Sequence, residues 1–175
     1  MRFANQSCSV LVATDVAARG LDIQNLSAVI NVDVCKDTEV HIHRIGRTGR
    51  AGEKGLALNL ATSGEKKWVK LIEQYQGMLV VWNDLAELKT DDTTELQAPM
   101  KCLCIFGGKK DKLRPGDLLG ALTGDIGLRK DQVGKINVFE FSTYVALERG
   151  IADKTFQKLS TGSIKGRQFK MRMID

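Results

Sequence analysis

An imidazole and two guanidiniums fall within eight residues in HRIGRTGR, His43 to Arg50. Continued as a helix, with ~100° between successive residues, this stretch brings His43, Arg47 and Arg50 into one sector. Ile42 and Ile45 then face the other way, toward a core. Two permanently charged planar groups beside an imidazole, on a helix with an apolar back, make a positive claw suited to phosphate oxygens. A solvated basic surface helix is the ordinary alternative. Gly46 and Gly49 weigh against it, because each costs helix stability without improving solubility.

Just upstream, Val10 to Ala13 is a short β-branched apolar run, which predicts a buried strand. It leads into TDVAARGLD, Thr14 to Asp22, placing polar groups at the carboxyl edge of a parallel sheet, where open α/β sheets hold ligands. Gly20 permits a close backbone approach, and Asp22 offers an acceptor for a sugar hydroxyl. Singly, each residue has a simpler reading: Asp15 as a helix cap, Arg19 as a surface charge, Gly20 as a turn.

A second concentration of charge lies in the other half. Residues 1–96 hold 11 basic and 13 acidic side chains, and residues 97–175 hold 15 and 8, so the net charge changes from −2 to +7. The sign changes after an acidic, threonine-rich stretch, residues 84–99, read as a linker. Lys109, Lys110, Lys112 and Arg114 cluster beside two glycines in GGKKDKLRPGD, with Lys165, Arg167 and Arg149 as outlying candidates for contacts to nucleic-acid phosphates. Each alone is as well explained as a solvated cation.

The elements that position these groups follow from periodicity. Lys101–Phe106, Lys135–Phe141, Tyr144–Leu147 and Arg167–Ile174 read as strands, and Arg114–Thr123 and Ile151–Leu159 as helices, with Pro115 suited to a first helical turn. That βαββαβ order is the split arrangement of the RNA-recognition motif. Its aromatic platform is sparse. Against the K/R-G-F/Y-G/A-F-V-x-F/Y signature, Glu140–Leu147 agrees only at Tyr144 and Val145, and Cys104 stands where a ring is usual. At ~1–3 kcal/mol per stacked base, RNA would have to be held mainly by the basic loops. The fold class expected is therefore α/β, a partial RecA-like helicase domain with a mostly parallel sheet over residues 1–83, followed by a small α+β RRM-like domain over 100–175.

Composition sets outer bounds. Hydrophobic content of 43% supports real cores, while aromatic content of 6% is low. No apolar run approaches the ~20 residues of a membrane span. Cys8, Cys35, Cys102 and Cys104 lack paired metal-binding spacing and read as buried free thiols in a reducing cytoplasm. Cys102 and Cys104 alternate, so they share one strand face.

Together, ATDVAARGLD and VINVDVCKDTEVHIHRIGRTGRAG resemble the last two signature motifs of the DEAD-box RNA helicases. The resemblance implies ATP as cofactor, with Arg47 and Arg50 as arginine fingers at its γ-phosphate and Asp22 at the ribose. It further implies Thr14 and Gly20 on the RNA backbone, and His43 and Arg19 in the network joining the two sites. Val34-Cys35 departs from the Leu-Pro of many relatives, at a loop position. The stretch CIFGGKKDKLRPGDLLGALTGDIGLRKDQVGKI and the ending GSIKGRQFKMRMI are similar to the C-terminal RNA-binding domain of the DbpA subfamily. This second resemblance implies a 23S rRNA hairpin of the peptidyl-transferase centre as substrate, a large ribosomal subunit precursor as partner, and a cytoplasmic setting.

No G-x-x-x-x-G-K-[ST] loop and no Asp-Glu-Ala-Asp stretch occurs. The expectation is the tail of a longer helicase, with Mg2+ held by a first RecA-like domain that is absent here. This polypeptide alone is then expected to bind RNA but not to hydrolyse ATP. Two other readings stand beside it: a non-enzymatic RNA-binding protein with a remnant helicase half, and an NTP-binding scaffold that recruits partners.

Overall fold

A computed structural model describes the chain except for residues 17–22, 24–25, 50–51, 53, 88–94 and 175. It divides into two units: Ala13–Thr93, and Met1–Val12 together with Thr94–Asp175. The division differs from the 1–83 boundary expected from sequence. Residues 1–12 group with the C-terminal part because Met100 donates its N–H to the Gln6 carbonyl (3.1–3.2 Å range, here 3.2 Å) and the Asn5 amide reaches the Cys102 sulfur at 3.8 Å.

In Ala13–Thr93, β1 (Ala28–Asn31) and β2 (Leu56–Asn59) pair in parallel, joined by a connection that holds α1 (Thr38–Ile45). The α2 helix (Lys66–Gln76) follows, with Gly77 in the left-handed region closing it. The side chains of Asn31 and Asn59, partners in register, hydrogen-bond at 2.7 Å. The core is small: Val34, Val69 and Ile72, with Ala61, Trp68 and Val80 against it. Val34 thus anchors the loop before α1, so the departure from Leu-Pro sits in packing as well as in a turn.

The strand expected over Val10–Ala13 is not formed, and Val12 is 93% exposed. A buried parallel strand needs a ladder partner and covered faces. Among the described residues, β1 and β2 pair only with each other, leaving Val10–Ala13 without a ladder.

The C-terminal unit has the expected βαββαβ order. The strands are β3 (Met100–Ile105), β4 (Val133–Val138), β5 (Thr143–Glu148) and β6 (Met171–Ile174), all antiparallel in the order β4-β5-β3-β6. The helices α3 (Pro115–Gly120, continuing as a wider turn to Asp125) and α4 (Arg149–Thr161) cover one sheet face. Leu103, Ile105, Val145 and Leu147 meet Leu118, Leu122, Ala152 and Leu159 there. Pro115 opens α3 as its sequence position suggested, with the Asp117 carboxylate accepting the Arg114 N–H at 3.0 Å. Cys102 and Cys104 lie on the opposite face, both buried, and burial pushes the Cys102 thiol up.

Two strands are shorter than their sequence patterns. The last begins at Met171 because Ile164 and Arg167 close a tight turn, with Lys165 and Gly166 both at positive φ. The second ends at Val138, where Phe139 turns and donates its N–H to the Ser142 carbonyl. The linker also narrows: Ala98 is buried, and the Pro99 carbonyl accepts the Arg149 N–H at 2.9 Å.

Candidate nucleic-acid interface and nucleotide site

The arginine stretch is not one helix. Asp37 caps α1 by accepting the N–H groups of Glu39 and Val40 at 2.9 and 3.2 Å, and the helix stops at Ile45. Gly46 closes the last turn through its N–H to the Ile42 carbonyl, and Gly49 takes φ +62°. Thr48 instead bridges to Leu26 in parallel fashion, and the Arg47 carbonyl accepts the Leu26 N–H at 3.0 Å. A side chain on Gly55 would strike the Thr48 hydroxyl and the Gly49 backbone, so the turn is clamped from below.

Consequently His43, exposed on α1, and Arg47, half-buried in the turn, do not share a helical sector. The two glycines that disfavoured a surface helix disfavour any continuous helix here. Arg50, Asp22, Arg19 and Gly20 lie outside the described residues. Thr14 is exposed and precedes Asp15.

Sequence reasoning missed the strongest polar contact in this unit. Arg44 grips Asp15 with two parallel bonds, Nε to Oδ1 at 2.6 Å and Nη2 to Oδ2 at 2.7 Å, and donates Nη1 to the Asp33 carbonyl at 3.0 Å. The hydrogen-bonded Asp15 carboxylate holds the guanidinium above its ordinary pKa. This fork ties the segment that enters TDVAARGLD to the helix that precedes Arg47. The signal was available: an aspartate after an apolar run needs a partner, and an arginine three residues before Arg47 is the nearest suitable one.

His41 was also missed. It is the buried residue of α1, whereas Ile42 and Ile45 are only half-buried, and its Nδ1 has no hydrogen-bond partner among the described residues. Burial first, and the Arg44 charge second, lower its pKa.

In the C-terminal unit, the expected basic groups converge from two loops. Lys109–Asp111 form a single turn, Lys112 follows at φ +59°, and Arg114 leads into α3. Gly107 and Gly108 are required for this arrangement. A side chain on Gly108 would sit 2.3 Å from the Phe139 carbonyl, and one on Gly107 would strike the Phe169 ring. The Lys109 and Lys110 N–H groups donate to the Phe139 and Glu140 carbonyls at 2.8 and 3.0 Å, locking the loop to the β4–β5 hairpin.

The loop before β6 joins the first one. Lys165 lies 3.6 Å from the Asp117 carboxylate, and Arg167 donates to the Asp111 carbonyl at 3.2 Å. Lys110 is offset by Glu140 at 3.6 Å, an exposed pair worth little in water. All six cations are exposed. Arg149 is not with them. It follows β5 at the far end of the sheet, a six-residue strand or ~20 Å away, where its backbone and side chain hold Pro99 and Ala98. Tyr144 lies on the sheet face opposite the helices, half-buried beside Cys104.

Residues 102–173 match the DbpA RNA binding domain, and residues 1–52 match the helicase conserved C-terminal domain. The ATP-dependent RNA helicase DbpA of Escherichia coli (strain K12) is 47% identical over 99% of this chain and 38% of that protein. The chain belongs to the DbpA subfamily of DEAD-box proteins. DbpA of Bacillus subtilis (strain 168) is 36% identical over 92% of the chain and 38% of its own length. The chain thus spans well under half the length of these curated DbpA relatives. Among solved structures, the yeast DEAD-box splicing factor Prp28 is 38% identical over 39% of this chain and 17% of its own, with a TM-score of 0.30.

The DbpA membership sets the frame for the two clusters. The clamped turn carrying Arg47 offers a guanidinium on backbone fixed at both ends, a donor set that suits phosphate oxygens. Among the described residues, no group of three or more His, Cys, Asp or Glu side chains could hold a metal ion. None of the described helices is long and apolar enough to cross a membrane.

Proposed function

We propose that this chain is the part of an ATP-dependent RNA helicase that pairs a nucleotide-sensing surface with an RNA tether. The tether is the C-terminal domain, and the observation that carries the reading is the convergence of Lys109, Lys110, Lys112, Arg114, Lys165 and Arg167 on one end of its sheet. Its target is a structured RNA, the 23S rRNA hairpin of the peptidyl-transferase centre, and the task is remodelling of rRNA in a large-subunit precursor in the cytoplasm. Holding one RNA element raises the local concentration of neighbouring duplex near the motor, as linked sites do.

In the motor half, Arg47 and Arg50 would meet the ATP γ-phosphate, Asp22 the ribose, and Thr14 and Gly20 the RNA backbone. His43 and Arg19 would connect the two. Bound ATP supplies a phosphoryl group whose developing charge such arginines stabilise, an effect worth ~10³–10⁵ in rate. The Arg44–Asp15 fork keeps the Arg47 turn in register with the Thr14 segment, so nucleotide and RNA contacts are set by one rigid connection. Magnesium is assigned to the companion RecA-like domain. The chain by itself binds RNA without turnover.

Fluorescence anisotropy with the 23S hairpin and with a scrambled duplex of equal length tests the tether. Expected is preference for the hairpin and a linear fall of log affinity with log salt. Each phosphate-contacting lysine replaced by glutamine lowers that slope by about 1. Equal affinity for both RNAs removes hairpin recognition, and RNA-stimulated ATP hydrolysis by this chain removes the division of labour.

A further inference from the structure

The sheet face opposite the helices carries a row that the basic loops do not explain. Asn137, Tyr144, Cys104 and Arg172 are direct partners across the four strands. At the loop end of this row stand Phe139, edge-on to Tyr144 with centroids 5.8 Å apart, and Phe106, whose ring centroid lies 5.7 Å from the Arg172 guanidinium carbon. Phe106 is 52% and Phe139 48% exposed. The core is complete without them, filled by Leu103, Leu118, Leu147 and their neighbours on the other face. Exposed rings clustered at one edge of a small domain therefore ask for a ligand rather than for packing.

The geometry describes that ligand. Two strand spacings, ~10 Å, separate Tyr144 from Arg172, and the small Cys104 side chain floors the gap between the two aromatic shoulders. The Asn137 amide nitrogen lacks an acceptor among the described residues. Exposed Lys170, whose carbonyl accepts the Phe106 N–H at 2.9 Å, and Arg172 give the rim a positive charge. Flat apolar faces, an unsatisfied N–H donor and a cationic rim fit a planar base on a polyanionic backbone.

We propose that Phe106, with Arg172, Phe139 and Tyr144, forms a base-stacking site for one unpaired nucleotide of the RNA held by the basic loops. The site is shifted from the middle of the sheet toward its loop end, because Cys102 and Cys104 replace rings in the middle. Phe106 supplies the stacking surface, and Arg172 meets the adjoining phosphate. The inference rests on the RNA-tether reading and adds to it a contact that is insensitive to salt.

The test uses the whole chain and the 23S hairpin carrying 2-aminopurine at each unpaired position in turn. Stacking on a ring quenches that base. Expected is quenching at one position, lost in Phe106→Ala, with hairpin affinity weakened on the order of ten-fold at every salt concentration and an unchanged salt slope. Phe106→Leu, which keeps apolar bulk without a π face, should behave like the alanine variant, and Phe106→Trp should restore quenching. Lys109→Gln with Lys112→Gln should lower the slope and leave the quenching amplitude at saturation intact. Unchanged affinity and quenching in Phe106→Ala, or full rescue by leucine, overturns the stacking site alone. Failure of the unmodified chain to bind the hairpin overturns the tether reading and this one together.

Discussion

In the C-terminal unit, four antiparallel strands lie against two helices, and Leu103, Ile105, Leu118, Leu122 and Leu147 are fully buried. In Ala13–Thr93, two four-residue strands pair only with each other, and Ile30, Leu56, Leu58 and Leu60 remain exposed. Both halves have apolar strands, but antiparallel hairpins need cover on only one face whereas parallel strands need it on both. A small split-βαβ domain can close its core within seventy-odd residues. A parallel pair draws its stability from layers on either side. The difference teaches that the RNA tether is a self-supporting body, while the residues around Arg47 are held by polar clamps more than by burial.

Truncating the larger core is the strongest way to test that contrast. Leu147→Ala should cost about 3 kcal/mol, within the ~2–5 range for such deletions, while Ile72→Ala in the smaller core should fall near ~2. Urea titrations followed by hydrogen exchange in each unit read both values. Equal costs, or equal amide protection of β1–β2 and β3–β5, would break the comparison.

Gly108→Ala comes next. Its added carbon would meet the Phe139 carbonyl at 2.3 Å, so either the basic loop or the hairpin must shift, at ~1–3 kcal/mol. Thermal melting should show the loss, and hairpin RNA affinity should fall with it.

The Arg44–Asp15 fork is smaller because both side chains are partly exposed, at 22% and 36%. Asp15→Asn should remove about 1 kcal/mol from the N-terminal unit and leave the melting of the C-terminal unit unchanged. A stability loss shared by both units would show the fork is not local.

His41 gives the mildest effect and a defined sign. Burial, then Arg44, holds the folded imidazole below its ordinary pKa. The unfolded chain therefore binds a proton below about pH 6.5 that the folded chain resists, and stability declines as pH falls through that window. Exchange protection of α1 should drop from about pH 7.5 to about 5.5, and His41→Gln should flatten the profile. A wild-type profile flat over this range would contradict the assignment.

Much of the C-terminal fold was legible in the sequence because its strands alternate and Pro115 marks a helix start. Its edges were not: nothing in RQFKMRMI announces that Gly166 delays the strand to Met171, since apolar alternation continues through the turn. In the N-terminal unit the glycines of HRIGRTGR were visible but their consequence was misread. Tertiary pairing of Thr48 with Leu26 outweighed helical spacing. The Arg44–Asp15 fork and buried His41 escaped because each joins residues that sequence separation makes independent. The stacking rings were hidden for another reason: the signature compares fixed positions, and Phe106 stands two residues beyond the Cys104 position.

Lys112 and Lys165 both stand on left-handed backbone, at φ +59° and +53°. A lysine there is strained relative to glycine by roughly 1 kcal/mol, so the domain would melt higher with glycine at either place. Thermostability and RNA grip are thus set against each other at these two positions, and selecting variants for heat resistance alone would erode the charge that captures the ligand.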